Sequence, residues 1–232
     1  MKAKISAEIP FENWRVKGFW RSLWETWVLA SCYPNSFFKA VGESENTVAA
    51  LGFYVVVGVI GVVINFLIGL PFEGYNSVVH RLLQKKIAES APLMGKWGPY
   101  LGLIPSFLTE MKWVSFFMSP VTLLVDLLIS AVFLQIVLLI VKAAPKGFYA
   151  TLRALAYGAA PNAVPYFGWL WASVISIIAL SRAQGVPAWK TTLAYLLQVL
   201  LYFLIVGVPL MIIVWLVIRT YLNPLLHQFQ VH

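Results

Sequence analysis

Four stretches of this sequence contain no Asp, Glu, Lys or Arg, and they constrain the fold more than any other feature. They cover residues 46–72, 127–141, 154–181 and 191–218. A helix needs about 20 apolar residues to cross the roughly 30 Å hydrocarbon core of a bilayer, so three of the stretches are long enough. The second becomes long enough if its helix starts near Pro120 and tolerates Asp126. The sequence therefore predicts an all-α, polytopic transmembrane helix bundle.

The amino-acid composition supports this class. The chain is 60% hydrophobic and 11% charged, whereas soluble domains carry about 25% charged residues. We assign the formal net charge of +8 to anionic lipid and membrane topology, and not to nucleic acid. The three histidines are too scattered to suggest a metal site. No phosphate-binding loop, nucleophile elbow, HExxH or CxxC motif occurs, so we expect no metal, no cofactor and no enzymatic activity.

An amphipathic helix is predicted over residues 11–31, ahead of the first apolar stretch. Its apolar residues share one face at helical spacing, and they are Val16, Phe19, Trp20, Leu23, Trp24, Trp27 and Val28. Such a helix lies in the membrane interface, with indoles at headgroup depth. We expect lipid contacts from Trp14, Trp20, Trp24, Trp27, Arg15 and Arg21. The alternative is a helix that packs its tryptophans on the protein's own bundle. Pro34 should end the helix in either case.

The segment 151–169, TLRALAYGAAPNAVPYFGW, has two interpretations. As one helix, residues 154–181 would be about 42 Å long, which is enough for a tilted span with a proline kink. Pro161 and Pro165, however, lie on either side of Asn162, and Gly168 follows. Each proline removes a helical hydrogen bond and disfavours helix in the residue before it. The pattern fits a turn between two short helices better than a kink.

The same segment carries a family resemblance. Its motif is a Thr-Leu-Arg start, an Ala-Tyr pair, an Ala-Pro pair and a later Pro, Gly and Trp, which here are Thr151, Leu152, Arg153, Ala156, Tyr157, Ala160, Pro161, Pro165, Gly168 and Trp169. Upstream, YPNSFFKAV at 33–41 resembles the Pro-Phe-Phe motif that precedes the first span. The chain thus resembles the Yip1-domain membrane proteins over residues 24–218, most strongly over 147–197.

The resemblance implies five spans with a cytoplasmic N-terminus, at about residues 47–70, 120–141, 148–162, 165–181 and 191–218. The proline-containing segment is then a helical hairpin turned at Pro161, Pro165 and Gly168. Residues 1–46 form a cytoplasmic amphipathic leader, 71–119 a structured outer loop and 219–232 an outer tail. The distribution of Lys and Arg also favours a cytoplasmic N-terminus.

The resemblance is closest to the compact prokaryotic branch of the family, which implies a cytoplasmic (inner) membrane location. Eukaryotic relatives have a long polar N-terminal region and an acidic Tyr-Gly-Pro motif, and they are linked to Rab-type GTPases. This sequence has neither feature, so Rab binding is not carried over.

Polar side chains inside the predicted spans are the candidates for function. Asp126 and Asn65 should lie at similar depth and form a hydrogen bond, with Asn162 and Tyr157 approaching the same layer from the hairpin. Arg153 should lie near the cytoplasmic end of its helix and reach lipid phosphates.

Two functional classes follow from these features. The first is a non-enzymatic membrane protein that organises membrane lipids or partner proteins, including further copies of itself. It rests on the aromatic leader and the family resemblance, and we favour it. The second is a small transporter or channel that uses the polar cluster around Asp126, and it rests only on the intramembrane polar residues.

Overall fold

The computed structural model describes residues 8–69, 85, 98–217 and 219. The structure is all-α and 87% helical, and its described residues contain no strand. Three helical stretches are long and apolar enough to cross a membrane, judged by length and composition, and they are Thr47–Ile68, Phe116–Ile140 and Ala188–Leu216. The predicted all-α class is confirmed, and these stretches coincide with the first, second and last predicted spans.

The helices, in chain order, are α1 Trp14–Lys17, α2 Phe19–Cys32, α3 Pro34–Glu43, α4 Thr47–Gly69, α5 Gly98–Ile140, α6 Gly147–Gly158, α7 Gly168–Gln184, α8 Ala188–Tyr202 and α9 Val208–Val217. Turns of 3-10 helix cover Pro10–Asn13 and Ala160–Ala163, and a π-helical turn covers Phe203–Gly207. The chain forms two compact units. The first contains residues 1–70 and 115–198, and the second contains 71–114 and 199–232.

The leader is a series of short helices and not the single helix that the sequence predicts over 11–31. α1 ends at Gly18, whose φ of +87° is accessible to glycine and breaks the helix. α2 follows directly. Pro34 ends it, as predicted, and opens α3 at a position where the missing N–H is tolerated. Asn46 then caps α4, because its Oδ1 accepts the amide of Ala49 at 3.0 Å.

The start of the second span differs from the sequence prediction. The glycines and prolines between residues 92 and 105 predict a structured outer loop up to residue 119, whereas residues 98–119 form the first part of α5. Pro99 lies in the first turn of this helix, where proline is tolerated, and prolines inside apolar helices can be accommodated. Glycine and proline therefore do not predict the position of the loop in this part of the chain. The rest of the predicted loop, apart from Lys85, lies outside the described residues, as do residues 1–7 and the tail after Arg219.

The proline-containing segment is a turn between two packed helices, α6 and α7. The two helices are antiparallel, since Gln184 contacts Gly147 at one end and Gly168 contacts Pro161 at the other. A Cβ at Gly168 would overlap the carbonyl of Pro161, so the turn closes around a residue without a side chain. In the structure the segment is therefore not one kinked helix.

The core of the first unit surrounds this hairpin. α6 packs on α4 and α7, and α7 also packs on α3. Small residues allow the close approach: Ala154 and Ala156 are fully buried, and a Cβ at Gly42 of α3 would lie 2.6 Å from the backbone oxygen of Ala183. Larger side chains fill the remaining space, and they include Phe37, Phe38, Phe53, Leu134, Leu138, Ile175 and Leu180.

Candidate functional site

Helix α2 of the leader has a face packed on the protein and a face left exposed. The packed face carries mostly small side chains, and its buried residues are Ser22, Leu23, Thr26, Ala30 and Ser31. Trp20 and Trp24 are 73% and 63% exposed. The Phe11 amide donates to Thr26 Oγ1 at 2.9 Å, which holds the preceding turn against α2. The leader therefore docks through small residues and leaves two indoles outside.

Trp27 belongs to the packed side of α2, where the protein holds its indole N–H. Its Nε1 donates to the carbonyl of Ala160 in the hairpin turn at 2.8 Å. A second indole bond runs in the opposite direction, from Trp171 Nε1 on α7 to the carbonyl of Ser31, at 3.1 Å. These two bonds tie the leader to the hairpin. One tryptophan of α2 thus packs on the bundle, and the other two remain exposed and available to lipid. Each of the two predicted interpretations therefore applies to part of the helix.

The remaining predicted interface residues of the leader are exposed. Trp14 is 40% exposed, and the guanidinium of Arg15 lies over its ring, 5.6 Å from the centroid. Arg21 Nε pairs with Glu25 Oε1 at 2.8 Å within α2. An exposed pair of this kind is screened by solvent and adds little to stability. These side chains cover the leader and form no part of its core, so they are accessible to lipid or to a partner.

Arg153 does not lie at the protein surface, contrary to the sequence prediction. It is only 7% exposed, and its Nη1 donates to Thr47 Oγ1 at the start of α4 at 3.2 Å. Its Nε has no hydrogen-bond partner among the described residues. A count of residues from the end of α6 predicts that Arg153 lies close to the membrane surface. Such a count contains no information about neighbouring segments, and here the leader and the start of α4 cover this part of the hairpin.

Glu12 lies close to Arg153, and the sequence alone does not single it out. The Ser44 hydroxyl donates to Glu12 Oε1 at 2.6 Å, which joins the 3-10 turn to the link before α4. Burial raises the pKa of Glu12 above its usual value of 4.5, and the Ser44 hydrogen bond, the Arg153 charge and the Tyr157 hydroxyl oppose this rise. A half-buried carboxyl and a buried guanidinium of the first unit thus interact electrostatically.

Tyr157 completes this polar group from the hairpin side. Its ring is fully buried and contacts the rings of Phe37 and Phe53, with centroids 5.5 and 5.1 Å away. Its hydroxyl lies near the Glu12 carboxyl, without hydrogen-bond geometry to it or to any other described atom. Tyr157 therefore connects α3, α4 and α6, and it belongs to a group of residues different from the predicted one.

The predicted hydrogen bond between Asn65 and Asp126 is wrong. α4 and α5 are antiparallel, with Tyr54 near Asp126 and Phe66 against Phe116. Asn65 lies about 16 Å along α4 from Tyr54, and its Nδ2 donates to Gly61 O of its own helix at 2.8 Å. The register differs because α5 begins at Gly98, well before the expected start near Pro120.

The structure does not bring the four predicted polar residues into one cluster. The backbone of Asn162 lies against Gly61 at the hairpin turn, and the carbonyl of Gly61 accepts the Asn65 bond. Tyr157 lies apart with Glu12, and Asp126 is exposed on α5. The described residues therefore do not assemble the polar cluster that the transporter interpretation requires.

A hydrogen-bonded network crosses the hairpin near its open end. Gln184 Nε2 donates to Thr151 Oγ1 at 2.8 Å, and Thr151 donates to Gln135 Oε1 at 2.7 Å. Gln184 also donates to Gly147 O and accepts the Lys146 amide, each at 2.9 Å. Side chains of α5, α6 and α7 are thus joined with their polar atoms satisfied. We interpret this network as structural, because it leaves little capacity for a ligand.

The described residues contain no group of His, Cys, Asp or Glu that could hold a metal ion. Comparisons with models of known protein families, with curated proteins and with solved structures found no match.

Proposed function

We propose that this chain is a non-enzymatic integral membrane protein of the Yip1 type that organises membrane lipids or partner proteins. The exposed aromatic side of the leader carries the proposal. Trp27 fixes α2 to the hairpin, while Trp20 and Trp24 stay largely exposed. Indoles are enriched where proteins meet lipid headgroups, and a helix that is already docked presents them with little further loss of conformational entropy. The leader is therefore a preformed surface for lipid or a partner.

The topology that we propose has five spans, with α6 and α7 as the third and fourth and the N-terminus in the cytoplasm. The position of the basic residues supports this topology, because several of them lie together at one end of the first unit. There Lys190 Nζ lies 3.5 Å from Lys142 O, and Lys146 Nζ donates to Gly42 O. At the turn, Tyr166 and Phe167 are exposed. Basic residues favour the cytoplasmic side, and a prokaryotic inner membrane is the expected location. Helices as short as α6 require local thinning of the bilayer.

The bond between Trp27 and Ala160 refines this topology. It brings α2 to the same depth as the hairpin turn, while the end of α3 packs beside Lys146 at the basic end. We therefore propose that the leader starts in the cytoplasm, reaches into the membrane with α2 and returns with α3.

Thiol labelling tests the hairpin as two spans. Cys32 is the only cysteine, so Tyr166→Cys in a Cys32→Ser background places a single thiol at the turn. We expect a membrane-impermeant thiol reagent to label it in intact cells. Labelling only after permeabilisation would show that the hairpin does not cross. A C-terminal reporter that is active only in the cytoplasm would contradict the odd number of spans.

Lipid analysis tests the function itself. The full-length protein is extracted in polymer-bounded lipid discs, and the phospholipids in the discs are compared with those of the source membrane. We expect enrichment of a defined phospholipid or reproducible recovery of a partner protein. Ion or solute flux in protein-containing liposomes, with neither enrichment nor a partner, would favour the transporter class instead.

A further inference from the structure

An apolar groove of about 350 Å³ lies between α2, α4 and the hairpin turn. Trp20, Trp24 and Trp27 line one side, and Val57, Ile60 and Ile64 of α4 line the other. The rings of Trp24 and Trp27 are stacked, with centroids 5.3 Å apart, so that this side is flat. Apolar cavities stay dry and accept apolar ligands. Because this part of α4 belongs to a candidate span, the apolar ligand available to the groove is a lipid acyl chain.

A second, open cleft of about 660 Å³ lies between the start of the leader and the first turns of α4. Its polar lining consists of Glu12, Asn13, Arg15 and Asn46. Arg15 is exposed, and its guanidinium rests on the Trp14 ring. Glu12 is held at the cleft by the Ser44 hydrogen bond. The cleft therefore offers one cation and one carboxyl group side by side with two amides.

The cleft and the groove follow each other along α4. Gly52 and Val56 line the cleft, and Val57 and Ile60 line the groove. Phe19 and Trp20 separate the two, and their ring centroids are 5.1 Å apart. The rise from Ala49, in the cleft, to Ile60, in the groove, is about 16 Å. One leaflet accounts for about 15 Å of the hydrocarbon core, so the two cavities are as far apart as the headgroup and chain of one lipid.

We propose that the cleft and the groove together bind one phospholipid whose headgroup carries a primary ammonium, as in phosphatidylethanolamine. Its phosphate pairs with Arg15, its ammonium donates to Glu12 and the amide oxygens, and one acyl chain occupies the groove. Ion pairs of guanidinium with phosphate and of ammonium with carboxylate are charge-assisted and strong. The Glu12 carboxyl disfavours a headgroup with net negative charge. The inference rests on the proposed lipid-organising function and names its lipid class.

Native mass spectrometry of the full-length protein tests the site. The protein is purified in mild detergent, delipidated and offered equal amounts of phosphatidylethanolamine, phosphatidylglycerol and phosphatidylcholine. We expect one phosphatidylethanolamine to be retained. Ile60→Trp should fill the groove and weaken this retention about tenfold or more, a loss of roughly 1.4 kcal/mol. The matched control is Ile136→Trp, on the exposed face of α5, and it should retain the lipid.

A second groove-filling variant guards against misfolding of the first. Val164, at the hairpin turn, also lines the groove and is 44% exposed, so Val164→Trp should reduce retention in the same way. If the protein retains phosphatidylethanolamine and neither groove variant reduces it, the site is wrong while the proposed function stands. If no phospholipid is preferred, both the site and the lipid-organising function are wrong. A dimer that both groove variants dissociate would identify a second copy of the chain as the occupant and overturn the lipid proposal.

The headgroup assignment has its own test. Arg15→Gln should weaken retention of all three phospholipids, because it removes the phosphate partner, whereas Lys39→Gln on α3 should not. Glu12→Gln should reduce the preference for phosphatidylethanolamine over phosphatidylcholine, since choline cannot donate a hydrogen bond to the carboxylate. An unchanged preference in Glu12→Gln, with phospholipid still retained, would overturn the ammonium contact.

Discussion

The hairpin α6–α7 and the stretch Ala188–Leu216 are both helical, but they differ in how much of their surface is buried in the protein. Most of α6 is buried, and half of its 12 residues are alanine, glycine or threonine. None of the most apolar window of Ala188–Leu216 is buried within the described structure. Without a hydrophobic force between helices in lipid, close packing depends on small residues and polar contacts. Among the described residues, high hydropathy therefore does not by itself mark the core.

The largest difference between the two regions is expected at a pair of glycines. Gly168→Ala should destabilise the protein by about 1–3 kcal/mol, the usual range for overpacking, because the new Cβ meets the backbone carbonyl of Pro161. Gly207→Ala is the matched variant. Its Cβ meets only the ring of Phe203, which can move, and alanine is the better helix former by about 1 kcal/mol. Thermal unfolding in detergent measures both, and equal losses would contradict the comparison.

A pair of glutamines sharpens the comparison for polar contacts. Gln184→Leu should destabilise the protein by about 1–3 kcal/mol, because it leaves Thr151 and the Lys146 amide without their partner. Gln198→Leu on α8 removes the bond to Ser130 O, which is longer, at 3.3 Å, and should cost about 1 kcal/mol or less. Denaturation in the same detergent gives both values. A larger loss for Gln198→Leu would show that the hairpin network is not the stronger one.

A pair of tryptophans tests how the leader supports the hairpin. Trp27→Phe keeps an aromatic ring but removes the bond to Ala160 O, and it should cost about 1 kcal/mol. Trp20→Phe, at a position 73% exposed, should change stability by about 0.5 kcal/mol or less. Amide hydrogen exchange in α2, measured in detergent, should accelerate in the first variant only. Equal exchange rates would mean that the indole bond does not hold the leader.

Local sequence signals predict the elements of this fold well. The bounds of α4 follow from the absence of charge, and the turn between α6 and α7 follows from Pro161, Pro165 and Gly168. These features act through the backbone of their own segment, so neighbours are not needed to interpret them. The leader, which Gly18 divides, is one exception. The long helix α5 is another, since Pro105 and Pro120 lie inside it. The prediction failed there because proline is disfavoured, and not forbidden, in an apolar helix.

The candidate site depends on tertiary contacts that the sequence does not encode locally. Hydrophobic periodicity places all three tryptophans of α2 on one face, but the structure packs Trp27 beside small residues such as Ser22 and Thr26. Trp20 and Trp24 stay exposed. The reason is that small residues allow helices to approach closely. The burial of Arg153 similarly results from the leader folding back over the hairpin. The same folding brings Glu12, which is far from Arg153 in the sequence, close to Arg153.

The smallest expected effect is a pH dependence that distinguishes the leader and hairpin from the last span. The stretch Ala188–Leu216 contains no Asp, Glu or His, whereas Glu12 is half-buried in the first unit and has a pKa that burial raises above 4.5. An acid with a raised pKa binds its proton more tightly when folded. Its contribution to the free energy of unfolding is therefore present below pH 4.5 and is lost as the pH rises through the higher pKa of the folded state.

Two variants test the sign of this effect. Glu12→Gln resembles the protonated acid and keeps an acceptor for Ser44, so the stability of the wild type relative to this variant should fall as the pH rises from 4.5. Ser44→Ala removes a hydrogen bond that lowers the pKa of Glu12, and the fall should then extend to higher pH. Unfolding midpoints measured in parallel at each pH cancel the contributions of all other groups. A relative stability that rises with pH would show that Glu12 ionises favourably in the fold, and that the Arg153 charge outweighs burial.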